Sequence, residues 1–386
     1  MDLGYAVQRY PKYNGAVSGN YRGKKANVFG NIGGNWGPRY SFVNFYRIQN
    51  QTIFDQNTDF LNISSNINGK IGADFFLNDK HTFGFMAYGL LGFEDQISES
   101  RTDIINELDN ETLSVLLASN EADTQRENAN FNANYQYDNK EGTTWNIDAD
   151  YGYFDIRSEN FQPNFYYGPE LQAVLSQNIF TTIAPTEIDI YSFKIDHERN
   201  LGKGKLGAGV KTSFVDTDND FQFFDRFDTA DTLNLDRSNR FQYRENINAG
   251  YISYQQTIDK FGIQMGLRGE HTNSRGQLTS VQQTDNDTVV RNYFNLFPSA
   301  GVTYQVNRNH SLRFNYSRRI DRPRYQDLNP FVQQIDELSY RQGNPFLLPQ
   351  YTICVEVTHT MNYVFNTSLK FSRTMNLMTQ ITDTIE

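Results

Sequence analysis

Residues 128–137 read NANFNANYQY, and the fold turns on how this stretch is read. Ala129, Phe131, Ala133, Tyr135 and Tyr137 share one parity, while Asn128, Asn130, Asn132, Asn134 and Gln136 take the other. A period of two belongs to a β-strand, whose successive side chains point to opposite faces. The same alternation returns at 145–153 (WNIDADYGY), where Trp145, Ile147, Ala149, Tyr151 and Tyr153 oppose Asn146, Asp148 and Asp150. From 261, FGIQMGLRG sets Phe261, Ile263, Met265 and Leu267 on one face. Over 62–77, Ile63, Ile67, Ile71, Ala73, Phe75 and Leu77 keep one parity. Such runs reach the ~9–11 residues of a membrane-crossing strand. A mean soluble strand has only about 5–6.

Composition narrows the reading. The chain has 386 residues, a net charge of −10, and no run that approaches the ~18 apolar residues of a transmembrane helix. A net negative chain offers no basic field to attract phosphates, so nucleic acid is not expected as a partner. Cys354 is the one cysteine, which excludes a disulfide framework and any multi-cysteine metal site. Aromatic residues make up 15% of an otherwise polar chain. That combination is what a transmembrane β-barrel needs, because half of each strand meets lipid and half meets a wet lumen. A soluble sandwich would have shorter strands and an apolar face of Val, Ile and Leu. A solenoid would repeat a recognisable sequence, and none repeats here.

The turns supply a second rhythm. Short turns fall at 22–25, 78–81, 138–142, 200–205, 258–260, 307–310 and 361–364, about 50 to 60 residues apart. Seven tight turns imply fourteen strands. Between the hairpins lie polar stretches at 97–124, 159–186, 220–240, 275–290 and 321–349, which read as long irregular loops. Short turns on one side and long loops on the other is the asymmetry of outer-membrane barrels, with the short turns periplasmic. The expected fold is all-β: a transmembrane antiparallel up-and-down β-barrel with about fourteen strands present, and with Trp145, Phe131 and Phe261 facing lipid. The opening MDLGYAVQRY has neither a basic n-region nor an apolar h-region, so the chain reads as a mature or internal piece.

One stretch goes further. Residues 292–350 contain NLFPS (295–299), SRRIDRPRYQDLNPF (317–331) and the first part of QGNPFLLPQY (342–351). With DFFLNDKHTFGF (74–85) and YPKYNG (10–15), they give the chain a sequence that resembles the TonB-dependent receptor-like outer-membrane β-barrel family of Bacteroidetes. The resemblance spans nearly the whole chain. It implies residence in the bacterial outer membrane, contact with outer-membrane lipid and lipopolysaccharide, and uptake of an unknown small ligand. It also implies a plug domain, a periplasmic energy-coupling protein and a barrel of about 22 strands. This chain departs from that pattern: no plug or coupling box is found in it, and it closes on TQITDTIE rather than an aromatic-ended strand. The expectation is the barrel portion of a receptor that takes up its ligand across the outer membrane. The alternative is a passive porin-like or surface-structural barrel without energy coupling.

Candidate site residues come from the arginine-rich stretch: Arg318, Arg319, Arg322 and Arg324, followed by Asp327 and Asn329. The arginines follow the strand SLRFNY (311–316) and open the loop 321–349, where Pro323 and Pro330 end ladder pairing. Three readings are open. The arginines pair with Asp321, Asp327, Asp336 or Glu337 in a folded loop. Some face the lumen and contact an anionic ligand or the plug, since an Arg fork suits carboxylates and phosphates. Or they meet lipopolysaccharide phosphates.

Other constellations are weaker. Asp216, Asp218 and Asp220 alternate like the start of a Ca²⁺ loop, but Phe221 and Phe227 stand where that loop needs Gly and Glu. They read as a solvated loop. The five histidines, His81, His197, His271, His310 and His359, show no ligand spacing, so no metal site is expected. No serine lies in a nucleophile elbow, and neither catalysis nor a cofactor is expected. Cys354 alternates with Ile353, Val355 and Val357 and is expected to face the lumen. Residues 169–180 (PELQAVLSQNIF) could form a short helix in a loop.

Overall fold

The structure is a computed structural model that describes residues 1–227, 230–281, 287–329, 332–336 and 339–381, with backbone alone described at 332–336 and 339. In chain order the strands are β1 (Asp2–Val7), β2 (Pro11–Arg22), β3 (Ala26–Gln49), β4 (Thr52–Asn78), β5 (His81–Asn106), β6 (Thr112–Asp138), β7 (Thr144–Tyr167), β8 (Val174–Ile183), β9 (Thr186–Leu201), β10 (Gly204–Phe227), β11 (Ala230–Leu233), β12 (Asn239–Ile258), β13 (Phe261–Ser280), β14 (Thr288–Asn307), β15 (His310–Asp321), β16 (Val332–Asp336), β17 (Ser339–Gln342), β18 (Gln350–Met361) and β19 (Phe365–Met375). One short helix, α1 (Tyr325–Leu328), lies between β15 and β16. Seventeen strands share one antiparallel sheet, and β16 and β17 form a separate hairpin.

All seven tight turns are hairpin turns, joining β2–β3, β4–β5, β6–β7, β9–β10, β12–β13, β14–β15 and β18–β19. Their chemistry is local. Gly202 and Asp259 take the left-handed φ that a two-residue hairpin loop requires, 61° and 50° respectively. These hairpins supply the fourteen expected strands, and β1, β8 and β11 account for the other three in the sheet. β1 pairs with β2. β8 and β9 are one ribbon interrupted at Ala184–Pro185, since both pair along β7. Pro185 has no N–H to give the ladder. β11 and β12 likewise both pair along β10. The Ser238 hydroxyl accepts from the Phe223 N–H at 2.9 Å in the gap between them.

The polar stretches expected as irregular loops are largely strand. β5 runs through 97–106 and β6 begins at Thr112, so the connection there is a turn. β7, β8 and β10 extend through much of 159–167, 174–183 and 220–227 in the same way. These segments lack an apolar parity because much of what they bury is polar, Ser98, Thr102, Gln162 and Asn164 among it. The backbone ladder continues without it. Residues 169–180 are not helical: β8 takes the latter part and pairs with β7. The 321–349 connection is long, and among its described residues α1 and the β16–β17 hairpin lie between irregular stretches.

The two faces differ as the alternation requires. Phe131, Trp145 and Phe261 are 51%, 41% and 45% exposed, although they are large and apolar. Ile67, Ile71, Phe85, Leu91, Val210, Met265, Phe314 and Val357 stand out from the same face. The other face carries amides, hydroxyls and charges. The Asn134 amide donates to Asn132 at 2.7 Å, and Asn132 donates to Asp150 at 2.7 Å. Among the described residues no large apolar core separates the faces. Buried apolar side chains gather in small groups towards the long-loop side. Phe180 and Phe223 stack at 4.8 Å, and Phe241, Tyr243, Leu278 and Leu328 form a second cluster.

Candidate functional site

The arginine-rich stretch sits where β15 leaves its neighbour. β14 and β15 pair only as far as Ser299↔Ser317, whereas β14 continues on β13 to Thr288↔Gln277. The upper part of β14 therefore has a bare edge. Arg318 fills the seam: its guanidinium donates to the Leu296 carbonyl at 2.6 Å and lies 4.9 Å from the Tyr351 ring. The Tyr351 hydroxyl accepts from the Asn295 amide at 2.9 Å across the same gap.

Beyond Asp321 the chain turns onto the polar face. Arg322 donates to Glu270 at 2.6 Å and to the Thr272 hydroxyl at 3.0 Å, while Arg268 takes the other Glu270 oxygen at 2.6 Å. The side chains of Arg322 and Glu270 are only 20% and 10% exposed. Six residues on, Leu328 packs into the Phe241–Tyr243–Leu278 cluster, with Tyr325 and Leu347 against it. The return leg is fastened too. Asn344 N–H donates to the Asp327 carbonyl at 2.8 Å, and Arg291 donates to the Pro345 carbonyl. Residues 322–329 and 344–347 thus form a docked loop, laid on the polar wall of β12, β13 and β14.

The six candidate residues divide. Arg324 makes a two-pronged bond to Asp327 at 2.9 and 3.0 Å, and Arg341 reaches the same carboxylate at 3.0 Å. The Asn329 carbonyl accepts from the Gly343 N–H at 3.0 Å. Arg318, Arg322, Arg324, Asp327 and Asn329 all fasten the loop or its root. Arg319 is different: it is exposed and lines a groove of about 440 Å³ on the polar face, with Asn315, Ser317, Cys354, Glu356 and Lys370. Cys354 is therefore on the polar face, as expected. The pairing partner of Arg322 was not foreseen. Glu270 lies on another strand, and only its parity with Arg268 on the polar face of β13 marked it. Pro330 and Glu337 lie outside the described residues, as do the last five residues of TQITDTIE.

The loop has a pH-sensitive fastening outside the strands. Arg324's bond holds the Asp327 carboxyl below the usual carboxylate range, with Arg341 adding to it and partial burial opposing. A depressed carboxyl contributes stability that is present above its unfolded pKa of about 3.9. The contribution is lost as pH falls through the still lower folded value. Pepsin cleavage after Tyr325 is therefore expected to accelerate below about pH 4. Asp327→Asn should show that acceleration already at pH 4–5, and equal cleavage of both proteins across this range would refute the fastening.

Two other expectations are revised. Asp216, Asp218 and Asp220 are not in a loop but on one face of β10. Asp216 pairs with Arg244 at 3.0 Å, Asp218 with Arg240, and Asp220 accepts from Gln222 at 2.7 Å. Asp216 and Asp218 thus form two ion pairs across the ladder, and Asp220 is held by an amide on its own strand. His310 and His359, read as unrelated, meet across β15 and β18 at 3.0 Å. Among the described residues no group of three or more His, Cys, Asp or Glu side chains is placed to hold a metal ion.

Strands of this length, joined by tight turns on one side and extended on the other, with aromatics exposed on one face and polar groups on the other, describe a membrane-spanning sheet. Comparison with protein families agrees: residues 136–386 match the outer membrane protein beta-barrel family. The chain belongs to that family. The fold of this outer-membrane barrel protein is the antiparallel up-and-down sheet of a transmembrane β-barrel, and its place is the bacterial outer membrane. No curated protein matches it in sequence. Among solved structures, the ferric yersiniabactin uptake receptor FyuA from Yersinia pestis is similar, with a TM-score of 0.52 and 11% identity over 95% of this chain and 52% of FyuA. The ferric citrate transporter FecA in its unliganded form gives a TM-score of 0.48 and 11% identity over 97% of this chain and 53% of FecA. The barrel protein thus spans about half the length of these receptors.

Proposed function

We propose that this chain is part of the barrel of an outer-membrane receptor that takes up a ligand, of the TonB-dependent kind. The docked loop carries the reading. A loop fastened to the polar wall by a buried ion pair and an apolar seat shapes the surface that a ligand or a plug must touch. Arg319 is the contact residue of the six, exposed on the polar wall in a groove that Lys370 also lines. An exposed arginine on such a wall suits a carboxylate or phosphate, whether on a ligand or on a plug. The resemblance of 292–350 to the Bacteroidetes receptors supports the same reading. So does the FyuA-like fold over half of that receptor's length. In the parent protein the remaining strands would complete a larger barrel, about 22 strands on that resemblance. A plug would fill the lumen, and a periplasmic coupling protein would supply energy. Lipid and lipopolysaccharide surround the apolar band.

The test is uptake by cells that carry the full-length parent gene, with the periplasmic coupling protein present or deleted. Uptake that collapses on deletion, and that falls about tenfold with Arg319→Glu, supports the reading. Uptake that persists without coupling, together with solute flux through liposomes containing the chain alone, overturns it in favour of a passive pore.

A further inference from the structure

The apolar face is hollowed by a groove of about 610 Å³ at the β1–β4 end of the sheet. Strand register explains its shape. Gly15 on β2 stands opposite Gly34 on β3, so two neighbouring positions on this face carry no side chain. The pairs on either side are large. Tyr13 stands opposite Trp36 on the side away from the turn at 22–25, and Val17 opposite Ile32 on the side towards it. Leu3 on β1 faces Gly15, and Ile67 on β4 faces Gly34. The result is a slot floored by backbone and walled by exposed apolar side chains.

The two glycines are there for different reasons. A Cβ at Gly34 would come within 2.6 Å of the Asn66 carbonyl oxygen, so the close approach of β4 demands glycine. A Cβ at Gly15 would meet Leu3 Cδ2 at 3.4 Å, an ordinary contact, and its φ is not left-handed. Glycine weakens a strand interior, and no local geometry at position 15 requires it. What the missing side chain provides is the hollow itself.

The surroundings fix its depth. Tyr5, Tyr13 and Trp36 form a row across β1–β3, with ring centroids 5.3 and 5.8 Å apart. Aromatic rows of this kind mark the edge of the apolar band. Charge begins just beyond this one: the Arg9 guanidinium lies 3.7 Å from the Tyr40 ring centroid, and the Tyr40 hydroxyl donates to Asp59. Gly34 stands eight positions along β3 from Ala26 at the short turn. At ~3.3 Å per residue and a tilt of ~40°, that is about 20 Å up a band ~25 Å tall. The groove therefore lies within the band, in the half far from the short turns.

Water does not fill such a hollow, because it needs about two to four polar partners. Hydrocarbon is the medium that reaches it. A chain in the slot touches protein on three sides instead of one. The gain is dispersion contact, since bulk lipid is as apolar as the walls. We propose that this groove is a binding site for one acyl chain of a membrane lipid, in the leaflet away from the short turns. The site rests on the reading that lipid surrounds the apolar band.

The experiment is photolabelling of the chain in phosphatidylcholine vesicles that contain a small fraction of phosphatidylcholine with a diazirine in its acyl chain. Mass spectrometry then counts insertion at Ile67, Ile71 and Leu91. Ile71 is the same side chain on the same strand and is more exposed, 65% against 48%. Leu91 is the cross-strand neighbour of Ile67 at the same level. Insertion at Ile67 is expected to exceed both by about fivefold, a preference of about 1 kcal/mol. Gly15→Leu, which fills the slot, should abolish the excess and leave Ile71 and Leu91 unchanged. The ratio in the unmodified chain decides even if that variant fails to fold. Equal insertion at the three positions would overturn the site and leave lipid contact intact. Insertion at Ile71 and Leu91 with none at Ile67 would overturn it in favour of a second copy covering the groove. No insertion at any of the three would overturn both the site and the reading beneath it.

Discussion

Replacing Arg322 by alanine is expected to release the docked loop and cost the protein about 3 kcal/mol of stability, near the lower end for a broken buried ion pair. The reason is what remains behind. Glu270 keeps Arg268 but loses a 2.6 Å partner in a place where its side chain is only 10% exposed. An ionised carboxylate stripped of half its pairing there carries much of its desolvation cost uncompensated. Thr272, fully buried, loses a donor at the same time. Lysine should not rescue the site, because one ammonium cannot serve Glu270 and Thr272 with the geometry of a planar fork. The partner substitution should: Glu270→Gln in the Arg322→Ala background is expected to recover about half of the loss. Denaturant midpoints of the folded chain, with proteolysis of 340–349 as a local probe, measure both effects. Equal midpoints for Arg322→Ala and the unmodified protein would show that the ion pair fastens nothing.

The second large effect belongs to the apolar face. Ile71→Arg is expected to destabilise the membrane-embedded sheet by about 2–4 kcal/mol, the cost of a charge near the bilayer midplane on the lipid side of a barrel. Ile71 is 65% exposed and stands mid-way along the apolar part of β4. The contrast is next door. Lys70 already carries a charge one residue away, and it does so on the opposite face. Asn68→Arg, on the Lys70 side, should therefore cost less than about 1 kcal/mol. Similar losses at positions 68 and 71 would mean that the faces are wrongly assigned.

The apolar face was readable in the sequence because its signal is a strict period of two, repeated in stretches such as 128–137 and 145–153. The seven turns were readable for a related reason: six are short polar breaks between two such runs, and MNYV at 361–364 is the least polar of them. The strand extensions at 97–106 and 159–167 were not readable. The positions they bury are polar, Ser98, Thr102, Gln162 and Asn164, so no apolar parity marks them, and the backbone ladder that holds them as strand leaves no trace in side-chain type. The docked loop was half legible. Its arginines, prolines and Asn–Pro and Gly–Asn–Pro turn formers stand out, and the Arg324–Asp327 pair is local. Arg322–Glu270 and His310–His359 depend on strand register, and register is a property of the assembled sheet. Arg319 could not be separated from its neighbours by composition, because its distinction is which way it points.

The tight turns also set an order of assembly. Hairpin partners that are only a few residues apart close cheaply, so each of the seven hairpins can form as soon as its second strand emerges. The β15–β18 junction cannot. Its two strands wait for all of 322–349, and a connection roughly ten times longer than a hairpin turn adds about 2 kcal/mol of closure entropy. That junction is therefore expected to close more slowly than the seven hairpins, and the loop's own seat against Phe241, Tyr243 and Leu278 would hold the returning chain near its place before β18 arrives.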